Sequence, residues 1–415
     1  MCKVNITIFQ VELFGNVNLT LFVGNNYRLS KDIATRCTIF EGDAKNSHHL
    51  IIKIITMYVK SHYPLKIMLS WTRNGILFFL CIAFVPVVLY DVFDLKWLTL
   101  PWMPIALVGT ALAFITGFKN NAAYDRAWEA RKIYGSIVNS SRKFVLMMND
   151  YITPEFAKDQ ITELELLEIR KTMANYHIAW LTAMRHNLRQ RKPWEVAQMN
   201  KMEIEQRRLY QVREYNTTED EDLRGYLTEE EQSYVTSKSN KAAACMKLQS
   251  NKMQNLKLNG YLESFRHMQM THVLGELIDA QGMAERIKNY PYPRQFATLN
   301  NYLLRVFIIL LPFGVMSEFE RIGKSILLTG TSDGFVYWIN NHFVWLAIPF
   351  SIVISWIFYT LERVGDVTEN PFVGLSNDVP ITTISRAIEI EMLELIGVDQ
   401  EQIPEPILPV FNIAM

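Results

Sequence analysis

The stretch 101–142 constrains the fold of this chain more than any other, because its chemical character changes halfway along. Its first half, up to Phe118, has no ionisable side chain, and its second half, from Lys119 onward, is rich in charged and aromatic residues. An α-helix of roughly 20 apolar residues crosses the hydrocarbon core of a bilayer. The pattern therefore predicts one helix that leaves a membrane at Phe118–Lys119 and continues into water.

Three apolar segments elsewhere in the chain are also long enough, with their flanks, to be membrane spans. Together with the segment just described, the candidates are 75–90, 97–118, 297–317 and 343–361. The third is marginal by hydropathy alone because it carries Arg305. We expect four spans, since the alternative of three would place the C-terminal tail outside without any supporting charge pattern.

The charges that flank these segments indicate their orientation. Basic residues without acids occupy 53–73, and basic residues outnumber acids again directly after the second span. The link 91–96 and the link between the third and fourth spans are weakly acidic. Both termini are therefore expected in the cytoplasm.

Composition and motifs argue against several classes of protein. The formal net charge is zero, so no basic field predicts nucleic-acid binding. The four cysteines are far apart in the sequence, which argues against a disulfide framework or a zinc site. The histidines form no HExxH or Ser-His-Asp pattern, and neither a Walker A sequence nor a GxGxxG follows a strand pattern. We therefore expect no enzymatic activity, no cofactor and no bound metal.

The alternation of apolar and polar segments predicts five regions. They are an N-terminal extension without an assigned fold (1–56), the first two spans with a neck (57–120), a helical cytosolic region (121–294), the last two spans (295–361) and a cytosolic C-terminal segment (362–415). Within the third region, 198–258 is rich in Gln, Asn, Glu and Lys, which predicts that part of it is an exposed helical hairpin or a loose insertion.

The apolar half of the exit helix carries a regular stripe. Thr110, Phe114 and Phe118 are four residues apart and share one helix face. Gly109 and Gly117 are among the small residues nearby, which allow close helix approach in lipid. The phenylalanines could face lipid or a neighbouring helix, or could line a hydrophobic constriction in a symmetric oligomer. Periodicity alone favours the first possibility.

The polar half of the helix begins with an interleaved set of charged and aromatic side chains. A cytoplasmic helix held by ion pairs and by aromatic packing at the membrane interface would have this pattern. We expect these residues to hold the neck in place rather than to perform chemistry. They are Asn120, Tyr124, Asp125, Arg126, Trp128, Glu129 and Arg131.

Three segments resemble the bestrophin family of ion channels, and most closely its bacterial branch. They read FKNNAAYDRAWEARKIYG at 118–135, LIDAQGMAERIKNYPYP at 277–293 and NPFVGLSNDVPITTISRAIEIEMLELIG at 370–397. Any one of these segments alone is a weak match. Because all three occur in the family's order between 57 and 397, together they are specific.

The resemblance implies an all-α membrane protein with four transmembrane helices per subunit and a large helical cytosolic region. It further implies a homopentamer around a central pore. In the family, the second span lines a neck with three apolar side chains spaced four apart, which correspond here to Thr110, Phe114 and Phe118. Threonine departs from the usual bulky residue and predicts a wider, more polar end of the neck. A second, cytosolic constriction corresponds to Leu262.

Animal bestrophins carry an acidic run after Asn-Pro-Phe that helps to bind calcium. Here the corresponding stretch has few oxygen ligands, so the resemblance does not extend to a calcium site. We expect the stretch to strap one subunit to its neighbour instead. The residues concerned are Asn370, Pro371, Phe372, Asn377 and Asp378.

The function implied by the resemblance is passive conduction of chloride or other small anions through the hydrophobic neck. The expected partners are further copies of the chain, small inorganic ions and membrane lipid, and the expected location is the bacterial inner membrane. A cation-selective channel of the same type, a slow carrier, and a non-conducting membrane scaffold that binds partners through 198–258 remain alternatives.

Overall fold

The computed structural model describes residues 62–155, 157, 161–196, 212–328, 334, 342–410 and 413–415, together with two short strands. The chain divides into two compact units, Met1–Ile54 and Ile55–Met415. In the first unit, β1 (Ile8–Phe9) pairs antiparallel with β2 (Leu21–Phe22). No fold was expected there from the sequence.

The described part of the second unit is built from helices. The longer ones are α1 (Leu65–Asp91), α2 (Trp102–Tyr151), α3 (Glu163–Arg189), α4 (Lys241–Leu258), α5 (Ser264–Asn289), α6 (Arg294–Leu328), α7 (Ala347–Thr368) and α8 (Ile381–Ile396). Shorter helices are Pro193–Val196, Glu219–Leu223 and Glu229–Thr236, and 3-10 turns are Lys96–Leu98, Arg213–Tyr215, Phe343–Leu346 and Gln400–Gln402. The expectation of a mostly helical chain is confirmed.

Four helices of the described chain are long and apolar enough to cross a membrane, as the sequence predicted. They are α1, the segment Lys96–Tyr151 that contains α2, Arg294–Ile326 of α6, and Phe343–Thr368, which contains α7. Each begins or ends beyond its uncharged core. The reason is that backbone hydrogen bonds extend the helix into the polar sequence on either side. Hydropathy detects only the apolar part of such a helix.

The helix α2 runs without a break through its 50 residues, which corresponds to roughly 75 Å. Buried residues of its first half, such as Ile105 and Leu112, pack with α1, α6 and α7 in one apolar core. Buried residues of its second half, such as Ile137 and Phe144, pack with α3, α4, α5 and α8 in another. We call the first group of helices the span bundle and the second the polar bundle.

Glycines allow the helices of the span bundle to approach closely. A Cβ atom at Gly109 would lie 2.7 Å from the ring of Phe307, and one at Gly75 would lie 2.8 Å from the ring of Tyr359. These distances are shorter than real side chains adopt, so α2 could not lie this close to α6 with a larger residue. Gly117, by contrast, has no atom within 4 Å of such a Cβ position.

The prediction that part of 198–258 is an exposed hairpin or a loose insertion does not hold for α4, which lies in this range. The helix α4 buries Ala242, Cys245, Gln249 and Met253 against the polar bundle. These residues follow helical spacing, but the lysine, glutamine, asparagine and serine residues between them lower the mean hydropathy of the segment and hide the buried face. Residues 198–211 lie outside the described chain.

Local sequence signals fix the ends of two helices in the polar bundle. Thr162 and Glu165 form a reciprocal capping box at the start of α3, which satisfies two backbone N–H groups. Gly397 ends α8 with a φ of +84°, a left-handed conformation that glycine adopts without steric cost.

Candidate functional site

The predicted neck residues lie on an exposed face of α2. The side chains of Phe114 and Phe118 are 67% and 58% exposed. Their ring centroids are 4.5 Å apart and the ring planes are almost perpendicular, which is a favourable edge-to-face contact. The hydroxyl of Thr110, one turn earlier, donates a hydrogen bond to the backbone oxygen of Ala106 at 2.9 Å. The three residues therefore form one continuous surface.

The opposite face of the same helical turns is packed. Leu112 is fully buried, and Gly109 and Thr116 lie against α6. The two phenylalanines consequently contribute little to the core of their own chain. An exposed aromatic face on a candidate membrane span must meet lipid, another copy of the chain or an aqueous passage.

A buried ion cluster follows directly after Phe118. The Nζ atom of Lys119 lies 2.6 Å from Glu362 and 2.5 Å from Asp366, and the lysine is only 2% exposed. Glu362 also accepts a hydrogen bond from Asn300, whose Oδ1 accepts one from Thr116 at 3.0 Å. The cluster ties α2 to α6 and α7 at the point where the uncharged half of the helix ends.

Sequence analysis recognised Lys119 only as the boundary of the apolar half. A signal was present, because Glu362 and Asp366 are four residues apart near the end of the fourth span. Two carboxylates on one face of a membrane helix need a cation nearby.

Arg126 braces α2 against two other helices. Its guanidinium donates hydrogen bonds to the backbone oxygens of Glu369, Tyr290 and Ile287 at 3.0, 2.8 and 2.9 Å. These oxygens belong to the C-terminal ends of α7 and α5, where carbonyl groups lack helical partners. A cation is favourable at such helix ends.

Two further residues of the expected scaffold make contacts between helices. The side-chain nitrogen of Asn120 donates to the backbone oxygen of Leu361 in α7 at 3.1 Å. Glu129 forms an ion pair with Arg286 of α5 at 2.6 Å. Both groups of this ion pair are largely exposed, so it contributes little to stability.

The remaining scaffold candidates face away from the core of their own chain. The rings of Tyr124 and Trp128 stack with centroids 6.3 Å apart, and both side chains are exposed. Asp125 and Arg131 are also exposed. They are available to a neighbouring molecule and do not hold the neck within one chain.

The assignment of Leu262 to a cytosolic constriction is wrong, because a pore-lining side chain has to reach a surface. Leu262 is only 2% exposed and belongs to the core of the polar bundle. Its backbone forms an isolated antiparallel bridge with Ile152, which holds it there. Phe265, in the first turn of α5, is 71% exposed. Sequence analysis did not single out this residue, although a phenylalanine in a polar context is a recognisable signal.

The stretch expected to strap neighbouring subunits also packs against its own chain. Phe372 is 1% exposed and packs against Tyr134 of α2, with ring centroids 6.0 Å apart. The backbone N–H of Val379 donates to the oxygen of Pro371 at 2.9 Å and closes the loop. These buried side chains therefore pack within their own chain, and a role of the stretch in strapping one subunit to its neighbour stays a prediction.

Polar residues of the same stretch also bond within the loop. The side-chain nitrogen of Asn377 donates to the hydroxyl of Thr368 at 3.2 Å. A carboxylate oxygen of Asp378 accepts from the backbone N–H of Gly374 at 2.5 Å, and Asn370 is largely buried. Across the described residues, no cluster of three or more His, Cys, Asp or Glu side chains is placed to hold a metal ion.

Comparisons with known proteins agree on one family. The model of the bacterial and fungal bestrophin proteins matches residues 66–328 and 336–394. Among curated proteins, the voltage-dependent anion channel-forming protein YneE of Escherichia coli strain K12 is 24% identical over 77% of this chain and 85% of its own length. The voltage-dependent anion channel-forming protein RSc3414 of Ralstonia nicotianae is 25% identical over 82% of this chain and 95% of its own length.

Solved structures show the same fold. The crystal structure of a bacterial bestrophin homologue from Klebsiella pneumoniae superimposes with a TM-score of 0.59 at 21% identity, and covers 78% of this chain and 98% of its own. A membrane protein crystallised as a single-substitution variant gives a TM-score of 0.61 at 21% identity, over 79% of this chain and 99% of its own. Since the family model matches well over half of the sequence, the chain belongs to the bacterial and fungal bestrophin family.

Proposed function

We propose that this chain forms a homopentameric channel that passes chloride or other small anions through a neck lined by Phe114 and Phe118. The observation that carries the proposal is the exposed aromatic face of α2 on a helix that can span a membrane. The names of curated relatives from Escherichia coli and Ralstonia nicotianae, both described as forming anion channels, support the ion class.

A symmetric assembly gives this face a physical role. If α2 of each subunit faces a common axis, the phenylalanines form rings that exclude water when the passage is narrow. A hydrophobic ring carries no charge, so weakly hydrated ions cross it at lower cost than strongly hydrated ones. Thr110 would form the wider end of the neck. Because its hydroxyl donates to Ala106, that proton is not available to bond a passing anion.

The polar bundle would surround the cytosolic part of the pore, with both chain termini in the cytoplasm and the spans in a bacterial inner membrane. The flanking basic residues support this orientation. In this arrangement we assign the second constriction to Phe265 rather than Leu262, since Phe265 alone of the two is exposed.

The first experiment measures current through the purified protein in planar bilayers under a salt gradient. The reversal potential reports conduction and the sign of the permeant ion together. We expect an anion-selective current that increases several-fold in the double variant Phe114→Ala, Phe118→Ala. Val353→Ala with Ile357→Ala is a matched control, because these residues are 52% and 45% exposed and also four apart on another candidate span.

Other outcomes of this experiment would contradict the neck assignment or favour one of the alternatives. Unchanged current in the phenylalanine variant, or an equal change in the control, would contradict the neck assignment. A cation reversal potential would favour the cation-selective alternative, and smooth flux without single-channel steps would favour a carrier. The scaffold alternative rests on the long polar segment at 198–258, and the buried face of α4 removes part of that support.

A second experiment tests the cytosolic constriction. Phe265→Ala is expected to change the relative permeability of large and small anions while leaving the neck gate intact. Leu262→Ala is the control, since it removes a buried side chain of the polar bundle and should lower stability without altering selectivity. The reverse pattern would restore Leu262 as the constriction.

A further inference from the structure

A cavity of about 800 Å³ opens between α1, α6 and α7. One part of its wall is apolar and includes Phe78, Leu304 and Ile308. Another part is basic and includes Arg294, Arg305 and Arg363. The neck residues Phe114 and Phe118 do not line it, so the cavity is separate from the proposed pore.

Arg305 is the distinctive group of this wall. The residue is exposed, and its side chain makes no hydrogen bond or ion pair with any other residue of the described chain. Arg294, by contrast, pairs with Glu369, and Arg363 lies over the ring of Trp71 at 5.4 Å. An arginine without a partner on a membrane helix is costly unless it reaches the interface or binds an anion.

The charge around the cavity leaves room for one anion. The wall also contains the carboxylates of Glu362 and Asp366, but both are bonded to Lys119. When Lys119 and Glu369 are included as partners of wall residues, the basic groups outnumber the carboxylates by one.

The guanidinium of Arg305 is a group that an anion in the cavity can reach. Trp194 also lines the wall, but its indole nitrogen is buried with almost no accessible surface, so its N–H is not offered to the cavity. Arginine is well suited to phosphate oxygens because its planar guanidinium can donate two parallel hydrogen bonds.

The position along α6 identifies the kind of anion. Arg305 is eleven residues beyond the start of the helix at Arg294, about 16 Å along the axis. In the proposed orientation this end of α6 enters from the cytoplasm, which places Arg305 within reach of the headgroup layer by snorkelling. Phe78 and Ile308 then lie where an acyl chain would run.

We propose that the cavity binds the phosphate group of an anionic phospholipid from the cytoplasmic leaflet. The phosphate is held by Arg305, and one acyl chain lies along the apolar wall. The inference depends on the proposed membrane orientation but not on ion conduction. Its test therefore uses bound lipid rather than current, and it can fail while the channel proposal stands.

The experiment is native mass spectrometry of the purified full-length chain in detergent, titrated with phosphatidylglycerol or phosphatidylcholine. We expect retention of phosphatidylglycerol over phosphatidylcholine, and a roughly tenfold loss of that retention in Arg305→Gln. Arg321→Gln is the matched control, since Arg321 lies on the same helix and its side chain is 72% exposed. It should retain lipid as the unaltered chain does.

A second variant tests whether the lipid needs the space of the cavity, while the charge of Arg305 is kept. Asn301→Trp fills the space beside Arg305 and should displace the lipid while the guanidinium is kept. Inorganic phosphate and soluble glycerophosphoglycerol serve as competitors. The proposal is overturned if either competitor binds as tightly as the lipid, if both lipids bind equally, or if Arg305→Gln leaves retention unchanged. It is also overturned if Arg305→Gln changes only the mass of the oligomer, which would show that a second copy of the chain covers the cavity.

Discussion

The span bundle and the polar bundle share one helix but differ in where their buried ion pairs lie. In the described chain, the buried ion pairs of the span bundle are those of Lys119, at its junction with the polar bundle. The polar bundle buries ion pairs within its interior, among them Arg185 with Glu214, and Lys288 with Glu195 at 2.7 Å. A bilayer makes internal charge costly along most of a span, whereas a water-exposed bundle can keep it if each group is paired.

The ionisation of these groups follows from burial and pairing. Burial lowers the pKa of Lys288 even though Glu195 favours the charged form. Burial raises the pKa of Glu214, but Arg185 and Arg189 more than offset this effect, so the pKa lies below its usual value. The comparison teaches that the span bundle depends on close packing, while the polar bundle also depends on the geometry of buried pairs.

The largest expected effect comes from removing the charge at the junction. Lys119→Met would leave Glu362 and Asp366 together without their cation, and should lower the free energy of unfolding by about 3–5 kcal/mol. Denaturant titration in mixed micelles measures this change. The matched control is Lys143→Met on the same helix, whose pair with Glu276 at 3.2 Å is half exposed and should contribute less than about 1 kcal/mol. Equal effects of the two substitutions would show that the junction cluster does not join the bundles.

The sequence predicted α2 well, because its apolar stripe and the change at Phe118–Lys119 are both local features. It could not predict that Lys119 meets Glu362, since the two residues are 243 positions apart and only packing brings them together. The spacing of Phe114 and Phe118 predicts that they share one helix face. Only the structure shows that both side chains are exposed within the chain.

Two failures have a common cause. Sequence patterns report average polarity, but burial depends on which side of an element meets a partner. Average polarity therefore predicts an exposed segment around α4, because lysine, asparagine and glutamine residues separate its buried ones. The resemblance likewise points to Leu262 for the cytosolic constriction, whereas Phe265, one turn away, is the residue that reaches the surface.

The next largest effect concerns the polar bundle alone and is the dependence of its free energy of unfolding on pH. His177 is fully buried between Phe144 and Trp180, and burial lowers its pKa to about 3. In the unfolded chain its pKa is about 6.5, so only the unfolded state takes up a proton between these values. Stability should therefore fall as the pH drops below about 6.5, by about 2 kcal/mol at pH 5 from this group.

The measurement compares the free energy of unfolding at pH 7 and pH 5 in the unaltered chain and in His177→Gln. The variant should lack this part of the acid sensitivity. His272→Gln is the control, since the side chain of His272 is 79% exposed. If both variants retain the full pH dependence, buried carboxylate pairs rather than His177 cause it.

A smaller effect tests close packing in the span bundle. Gly109→Ala would place a methyl group against Phe307 and should cost about 1 kcal/mol relative to Gly117→Ala, where the space is open. Both substitutions gain the same helix propensity, so their difference isolates the packing. The two thermal midpoints in detergent provide the measurement. If Gly117→Ala were equally destabilising, its face would be covered by another copy of the chain, and the current would then show whether that face lines the pore.

The smallest effect concerns a pair at the surface of the polar bundle. Arg142 of α2 lies 2.6 Å from Glu391 of α8, and the two side chains are 45% and 36% exposed. Because water and salt screen such a pair, Arg142→Met should lower the free energy of unfolding by only about 0.5 kcal/mol. Denaturant titration at low and high salt measures the change, which should disappear at high salt. A loss comparable to that of Lys119→Met, or one that persists in salt, would mean that the polar bundle also depends on its surface charges. The contrast between the bundles would then lie in the total number of ion pairs rather than in where the pairs are buried.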